Sequence, residues 1–138
     1  MMSHPQLLHT VLDAVDVRRE AEFWRELLGL VYRAGDEVPD GHGAVDDLEW
    51  LVLTHADGRR ALAFQQVAEQ ARSTWPDQQV PMQLHLDLTV PGVDELAEQH
   101  ARALALGATV LLDRTDDADE PLYVYADPEG HPFCIFVA

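Results

Sequence analysis

The chain has 138 residues, of which 47% are hydrophobic and 25% are charged. This composition is typical of a folded globular domain and excludes a disordered or fibrous protein. With 9 basic and 25 acidic residues, the formal net charge is −16. Such a surface repels phosphate backbones and anionic lipid headgroups, so we expect neither a nucleic acid nor a membrane as a partner.

The cysteine count and the N-terminal residues bear on the cellular location. Cys134 is the only cysteine, so no intramolecular disulfide can form, which fits a reducing compartment. The first residues do not form a basic segment followed by an apolar stretch. No run approaches the roughly 18 apolar residues that a membrane span needs. We therefore expect a cytoplasmic protein.

The first half of the chain predicts a strand, a helix and three further strands. Residues 7–15 are rich in apolar side chains and predict the first strand. Asp16 stands where a helix N-cap would, and apolar residues then recur at spacings of three and four as far as Gly29, where the helix is expected to end. Asp57 and Gly58 form a hairpin turn signal. The three further strands are predicted at residues 30–34, 49–54 and 60–67, and a polar loop at residues 35–47.

The second half predicts the same order of elements. Residues 83–90 alternate, with apolar side chains on one face and His85, Asp87 and Thr89 on the other. A helix is predicted at residues 93–106, with Gly107 past its end. Strands are then predicted at residues 109–114, 122–126 and 133–137, and the last two are joined by a turn at residues 127–130.

The repeated order indicates an internal duplication. His9 and His85 occupy matching places in the two first strands, and Gly29 and Gly107 follow the two helices. We expect one domain over residues 1–138, with one module at residues 6–67, a polar linker at residues 68–82 and a second module at residues 83–138. The alternative is chance alternation within an ordinary α+β domain.

The residues that carry this pattern resemble the signatures of the vicinal oxygen chelate superfamily of glyoxalase-like, bleomycin-resistance-like and dioxygenase-like proteins, and most closely its small glyoxalase-like domains. The matching stretches are residues 9–16, Phe23-Trp24, residues 27–29, residues 85–88, Gly107-Ala108 and residues 127–133. The resemblance implies an α+β fold of two βαβββ modules. Their curved mixed β-sheet forms a cup with the helices on the outside, and relatives suggest a homodimer.

The resemblance also implies four inward positions that hold a divalent metal in the enzymatic members. By strand alignment these positions are His9, Ala63, His85 and Cys134, with a shift of one residue at Ala63 left open. Histidine is a good ligand, but Ala63 offers no ligand atom and Cys134 stands where relatives carry a glutamate. We therefore expect no cofactor, and His9 and His85 as the ligands if zinc, nickel, iron or manganese does bind. Two histidines and a thiol would suit Zn²⁺ with a water as fourth ligand.

We expect a ligand pocket in the cup, and three functions stay open. The first is binding of a small organic molecule without the usual metal site. The second is a metal-dependent lyase, isomerase or dioxygenase with His9 and His85 as ligands. The third is a non-catalytic regulatory or interaction subunit. The expected pocket residues are His9, Asp13, Gln65, His85, Asp87, Tyr125 and Cys134. The other histidines are expected to pack on the second helix (His100) or to lie in a turn, in loops or near the terminus (His131, His4, His42 and His55).

Overall fold

The computed structural model describes residues 3–41 and 43–138. Met1, Met2 and His42, the last of which was expected in a loop, lie outside the described residues. The described part holds two α-helices and eight β-strands. It divides between Glu69 and Gln70 into two compact units, which we call the first module and the second module.

In the first module, four strands form one mixed sheet. They are β1 (Thr10–Ala14), β2 (Val31–Tyr32), β3 (Trp50–Thr54) and β4 (Arg60–Gln66), in the order β1-β4-β3-β2. β1 runs parallel to β4, and the other neighbours are antiparallel. Helix α1 (Val17–Leu28) follows β1, so the module has the order βαβββ.

The second module repeats this plan. Its elements are β5 (Leu86–Val90), α2 (Val93–Leu106), β6 (Thr109–Arg114), β7 (Leu122–Ala126) and β8 (Pro132–Val137), and its sheet order is β5-β8-β7-β6. β5 runs parallel to β8, and the other neighbours are antiparallel. The α+β class and the two βαβββ modules predicted from the sequence are confirmed.

Both helices end at the glycines that the sequence indicates. At the start of α1, the carboxylate of Asp16 accepts a hydrogen bond from the backbone N–H of Arg19 at 3.2 Å. Gly29 has a φ of 67° and donates to the Arg25 carbonyl, and Gly107 ends α2 with a φ of 117°. Positive φ values favour glycine because a β-carbon would crowd the backbone there.

The two helices contribute unequally to the buried core. α1 lies against β3 and β4 and has six buried residues, of which Trp24 is the largest that is fully buried. In α2, which lies against β8 and β5, the buried residues are Leu96 and Ala103. Within the described residues, neither helix has the length and apolar character that a membrane crossing requires.

The first strand of each module begins later than its sequence pattern predicts. β1 begins at Thr10 and β5 at Leu86, so His9 and His85 lie immediately before their strands. In the second module, a φ of 59° at Gln83 and a tight turn, with the N–H of Leu84 donating to the carbonyl two residues earlier, interrupt the extended chain. In the first module, Leu7 is 92% exposed, so its apolar character does not reflect burial in the sheet.

The polar segment at residues 70–82 belongs to the second module and is tied to the turn before β8. Arg72 donates a hydrogen bond to the carbonyl of Pro128 at 2.8 Å. A β-carbon built at Gly130, whose φ is 94°, would lie 2.9 Å from the Cα of Arg72. The buried carboxylate of Asp127 closes this turn by accepting two backbone N–H groups. Position 130 therefore requires a glycine, because a β-carbon there would be too close to the backbone of Arg72.

Candidate functional site

The parallel strand pairs of the two modules have equivalent registers. Val11 pairs with Ala63 in the first module, and Asp87 pairs with Cys134 in the second. Val11 and Asp87 each lie two residues after the histidine of their module. The registers therefore make Ala63 equivalent to Cys134 without a shift.

Three polar side chains of the second module meet at this register position. The Nε2 atom of His85 lies 3.2 Å from Oδ1 of Asp87. One ligand atom each from His85, Asp87 and Cys134 lies within 4.8 Å of the other two. Residues two apart along an extended chain project to the same side, and the register with β8 adds the cysteine. We call these three residues the His–Asp–Cys group; they are three of the seven residues expected in the pocket.

The thiol of this group is not poised for attack on a substrate. Burial raises the pKa of Cys134 to about 11, and the negative charge of Asp87, a hydrogen bond to Asp87 and the charge of Glu120 act in the same direction. The thiolate is the nucleophilic form of cysteine, and at neutral pH this thiol stays protonated. Nucleophilic catalysis by the metal-free Cys134 is therefore not supported.

The donor atoms of the group decide which metal it fits. It offers an imidazole nitrogen, a carboxylate oxygen and a sulfur. Mg²⁺ and Mn²⁺ prefer oxygen ligands, whereas thiolate combined with imidazole suits zinc. The equivalent position in the first module, Ala63, has no ligand atom. The residues present do not fit the carboxylate-rich site that the resemblance implies, but they fit a cation that favours sulfur.

Tyr125, expected beside these residues, lies on the opposite face of the second sheet. It pairs with Phe133, one residue from Cys134, and alternation along β8 therefore directs it to the side that α2 covers. Its hydroxyl oxygen lies 2.8 Å from Nδ1 of His100 on α2, and its ring stacks on that of Phe133 at a centroid distance of 5.0 Å. Burial raises the pKa of this hydroxyl above its usual range. Tyr125 is a buried contact of the helix.

In the first module, Asp13 and Gln65 form a separate polar pair. They are register partners on β1 and β4, and Nε2 of Gln65 donates to Oδ1 of Asp13 at 3.3 Å. Trp50 pairs with Gln65 from the other side, and its ring centroid lies 6.1 Å from that of His9. Trp50 is therefore a neighbour of both the polar pair and the histidine.

His9 lines a pocket near the start of β1, with a volume of about 450 Å³. Most of its wall is apolar. The lining residues are Leu7, Leu8, His9, Thr10, Leu28, Leu30, His55, Arg60, Ala61 and Leu62. Of the seven residues expected in a pocket, His9 is the one found here.

Two polar groups of this pocket have no partner within residues 3–41 and 43–138. Nδ1 of His9 is buried and makes no hydrogen bond, and the guanidinium of Arg60 makes no hydrogen bond or ion pair. Burial lowers the pKa of His9, and the positive charges of Arg60 and Arg33 lower it further. The imidazole is therefore neutral at physiological pH.

Sequence reasoning missed this pocket because Leu7 and Leu8 continue the alternation of β1 and were assigned to a strand. The Arg59-Arg60 pair at the start of a predicted strand gives no specific signal, because Arg18-Arg19 is a second such pair in the chain. Arg59 meets an acid, Asp57, at 2.8 Å, whereas Arg60 faces the pocket.

Comparison with known proteins shows which family matches the sequence and which solved structures share the fold. The Glyoxalase-like domain family matches residues 9–136, and no curated protein matches the chain. Among solved structures, the fosfomycin resistance protein FosX from Mesorhizobium loti has a TM-score of 0.65 at 12% identity, covering 100% of this chain and 94% of that chain. FosX from Listeria monocytogenes, complexed with Mn(II) and sulfate, has a TM-score of 0.63 at 15% identity with coverages of 100% and 94%.

A glyoxalase/bleomycin resistance protein/dioxygenase family enzyme from Burkholderia phytofirmans PsJN has a TM-score of 0.65 at 14% identity, covering 94% of this chain and 96% of that chain. Likeness at such identities shows the fold alone, because one fold supports many functions. The family match, in contrast, spans nearly the whole sequence. The chain belongs to the Glyoxalase-like domain family, within the vicinal oxygen chelate superfamily.

Proposed function

We propose that this protein binds a small organic acid with an apolar body in the pocket beside His9. The observation that carries the proposal is a leucine-lined pocket of about 450 Å³ whose wall includes His9 and Arg60. Small-molecule sites are commonly pockets of roughly 300–1,000 Å³ with apolar walls and a few polar groups that fix orientation. The proposal agrees with the expectation of a binding protein that lacks the usual metal site.

The exposed leucines favour a ligand with an apolar part. Leu7 and Leu8 are 92% and 60% exposed, and both line the pocket. Covering apolar surface is worth about 25 cal/mol per Å² removed from water. A ligand with a hydrocarbon body would therefore gain free energy by covering these two side chains.

The two unpartnered groups favour a ligand with an acidic part. A carboxylate can accept paired hydrogen bonds from the guanidinium of Arg60, and such charge-assisted bonds are about twice as strong as neutral ones. The neutral ring of His9 donates or accepts one hydrogen bond according to its tautomer. Long-range attraction does not help an anion here, since the net charge is −16, so affinity must come from these short-range contacts.

The experiment compares aliphatic and aromatic carboxylates with alcohols of the same carbon skeleton. We expect carboxylates to bind at least about tenfold more tightly, as a hydrogen bond to a charged group contributes roughly 1.5–3 kcal/mol. Calorimetry gives the affinities, and nuclear magnetic resonance should show the His9 ring signals shifting on binding.

The matched control is provided by the neighbouring arginine. Arg60→Gln should abolish the preference for carboxylates, whereas Arg59→Gln, at a residue held by Asp57, should leave it intact. Equal affinity for acids and alcohols, or equal effects of the two arginine variants, would contradict the proposal.

A metal-dependent lyase, isomerase or dioxygenase is the second candidate, and the His–Asp–Cys group is the observation that favours it. In such an enzyme a bound cation polarises an oxygen of the substrate. If His9 and His85 were both ligands, as the resemblance implies, His9→Ala and His85→Ala would each lower the metal content of tag-free protein. The homodimer expected from relatives stays a prediction, which analytical ultracentrifugation tests.

A further inference from the structure

We infer that His55 selects the ligand of the pocket, and that the ligand is an organic acid with a second, neutral oxygen, as in a hydroxy acid or a keto acid. The inference rests on the proposed function, because it takes the contact between a carboxylate and Arg60 as given. It adds a second polar contact and excludes amines and amino acids from the ligand class. His55 and Arg60 both line the pocket, and both belong to the first module.

The turn between β3 and β4 fixes the backbone of His55. Its N–H donates to the Arg59 carbonyl at 2.8 Å, and its carbonyl accepts the N–H of Gly58 at 2.9 Å. The same carbonyl accepts the hydroxyl of Thr54 at 2.9 Å. Thr54 and Arg60 are register partners, so His55 and Arg60 both reach the pocket from the turn end of the hairpin. A residue whose backbone is already ordered loses less conformational freedom when a ligand binds.

The imidazole of His55 is available to a ligand. The residue is exposed, and within the part of the chain that the structure describes its ring makes no hydrogen bond. The neighbouring carboxylate of Asp57 is held by Arg59 at 2.8 Å. By contrast, Nδ1 of His9 is buried. A neutral imidazole offers one N–H donor and one acceptor nitrogen, so the ring of His55 can bind a hydroxyl or, through its N–H, a carbonyl oxygen.

The wall of the pocket disfavours a ligand with an ammonium group. Among the described residues that line it there is no aspartate or glutamate, whereas Arg60 carries a permanent positive charge. An ammonium group would lose hydration without an anionic partner, and the guanidinium would repel it. A hydroxyl or carbonyl oxygen carries no net charge, so one hydrogen bond to His55 can compensate for its smaller loss of hydration.

Thr10 is the competing partner for the second oxygen, because it also lines the pocket. It lies in β1 opposite Leu62, two residues further along β4 than Arg60. His55 instead belongs to the turn that leads into β4 at Arg60. This placement favours His55 as the residue that meets the second oxygen of an acid held by Arg60.

The test compares ligands with the hexanoate skeleton in calorimetry on the full chain. The probes are hexanoate, hydroxyhexanoates with the hydroxyl on the second, third or last carbon, the keto acid with its carbonyl on the second carbon, the corresponding amino acid, and hexanol. We expect at least one hydroxy or keto acid to bind about three- to tenfold more tightly than hexanoate, because a neutral hydrogen bond adds a modest net gain. The amino acid should bind more weakly than hexanoate.

The outcomes separate this inference from the proposed function. If hexanoate binds more tightly than hexanol but no hydroxy or keto acid binds more tightly than hexanoate, the inference fails and the proposed function stands. An amino acid that binds as tightly as the best hydroxy acid also overturns the inference. If hexanoate and hexanol bind equally, the proposed function itself fails, and the inference fails with it.

Variants identify the residue that contacts the second oxygen. His55→Leu should remove the preference for the hydroxy or keto acid and keep the preference for hexanoate over hexanol. Because His55 is exposed, we expect this variant to fold. Thr10→Val, which removes the competing hydroxyl at nearly constant shape, is the matched control and should leave both preferences unchanged. A preference that survives His55→Leu, or that Thr10→Val removes, would overturn the inference.

A measurement on the unmodified protein tests the contact directly. In nuclear magnetic resonance spectra, the ring signals of His55 should shift more with the preferred hydroxy or keto acid than with hexanoate. Equal shifts with the two ligands would show that His55 does not meet the second oxygen, and the inference would fail.

Discussion

The two modules share a backbone plan but differ in what their equivalent positions carry. The first places Val11 beside Ala63, and the second places Asp87 beside Cys134 at the same register. The two parallel ladders keep the same register although the side chains at these positions differ. The repeated fold thus supplies equivalent positions, while the residues in each module decide whether a position can bind a polar ligand.

The hairpin turns of the two modules are also equivalent in the fold but differ in the residues that pack around them. Gly58, between β3 and β4, has a φ of 89°, and Gly130, between β7 and β8, has a φ of 94°. A β-carbon at Gly58 would meet nothing within 4 Å, whereas one at Gly130 would lie 2.7 Å from a side-chain carbon of Arg72. Equivalent turns thus have similar dihedral angles but different packing.

The largest effect is expected where the helices differ in burial. Trp24 of α1 is 0% exposed, so Trp24→Ala should lower the free energy of unfolding by about 3–5 kcal/mol. Leu104 of α2 is 41% exposed, and Leu104→Ala should cost less than about 1 kcal/mol. Urea denaturation followed by circular dichroism measures both. Comparable losses would break the contrast between the two helices.

A smaller effect is expected at the two turn glycines. Gly58→Ala should cost about 1–2 kcal/mol, because alanine is strained at a positive φ. Gly130→Ala has the same strain and must also displace the backbone of Arg72, which should add roughly 1–3 kcal/mol. The same denaturation measurement compares them. If Gly130→Ala lowers the free energy of unfolding no more than Gly58→Ala does, the backbone at residue 72 moves away from the new β-carbon without destabilising the protein.

The smallest effect concerns the pH dependence contributed by His9. Its pKa in the folded protein lies below the ordinary value of 6.5, so the unfolded chain binds more protons between these two values. Stability should therefore rise with pH through this window and fall as the pH drops below about 6.5. His9→Asn should flatten the dependence in a series of denaturation midpoints. An unchanged slope would show that His9 titrates alike in both states.

Much of the fold could be predicted because local signals specify it. Asp16 and Gly29 set the ends of α1, Gly107 marks the end of α2, and the bounds of β6 and β7 agree with the alternation pattern. The two first strands were extended too far because alternation alone does not show whether a residue has a ladder partner. At Gln83, a positive φ in a residue other than glycine gave no signal in the sequence.

The candidate site could be predicted only in part, because it depends on pairing between distant residues. His85 and Asp87 follow from alternation within one strand, and Cys134 joins them through a ladder that links two separate segments. Tyr125 is expected in the pocket because an aromatic ring supplies stacking surface for a flat ligand. The face of the sheet on which it lies depends on its pairing with Phe133, one residue before Cys134. Its contact with His100 depends on how α2 packs on the sheet.

The bond between Arg72 and Pro128 has a consequence for protein engineering. Segments between repeated units usually accept inserted residues, because loop closure becomes only slowly less favourable as the loop lengthens. Here an extra residue inserted between positions 69 and 72 only lengthens the chain that leads from the first module to the anchor. One inserted after the anchor enters a segment held by further bonds, in which the N–H of Thr74 donates to the Val80 carbonyl and the N–H of Val80 donates to the Thr74 hydroxyl. Permutation or fusion sites are therefore better chosen before the anchor than beyond it.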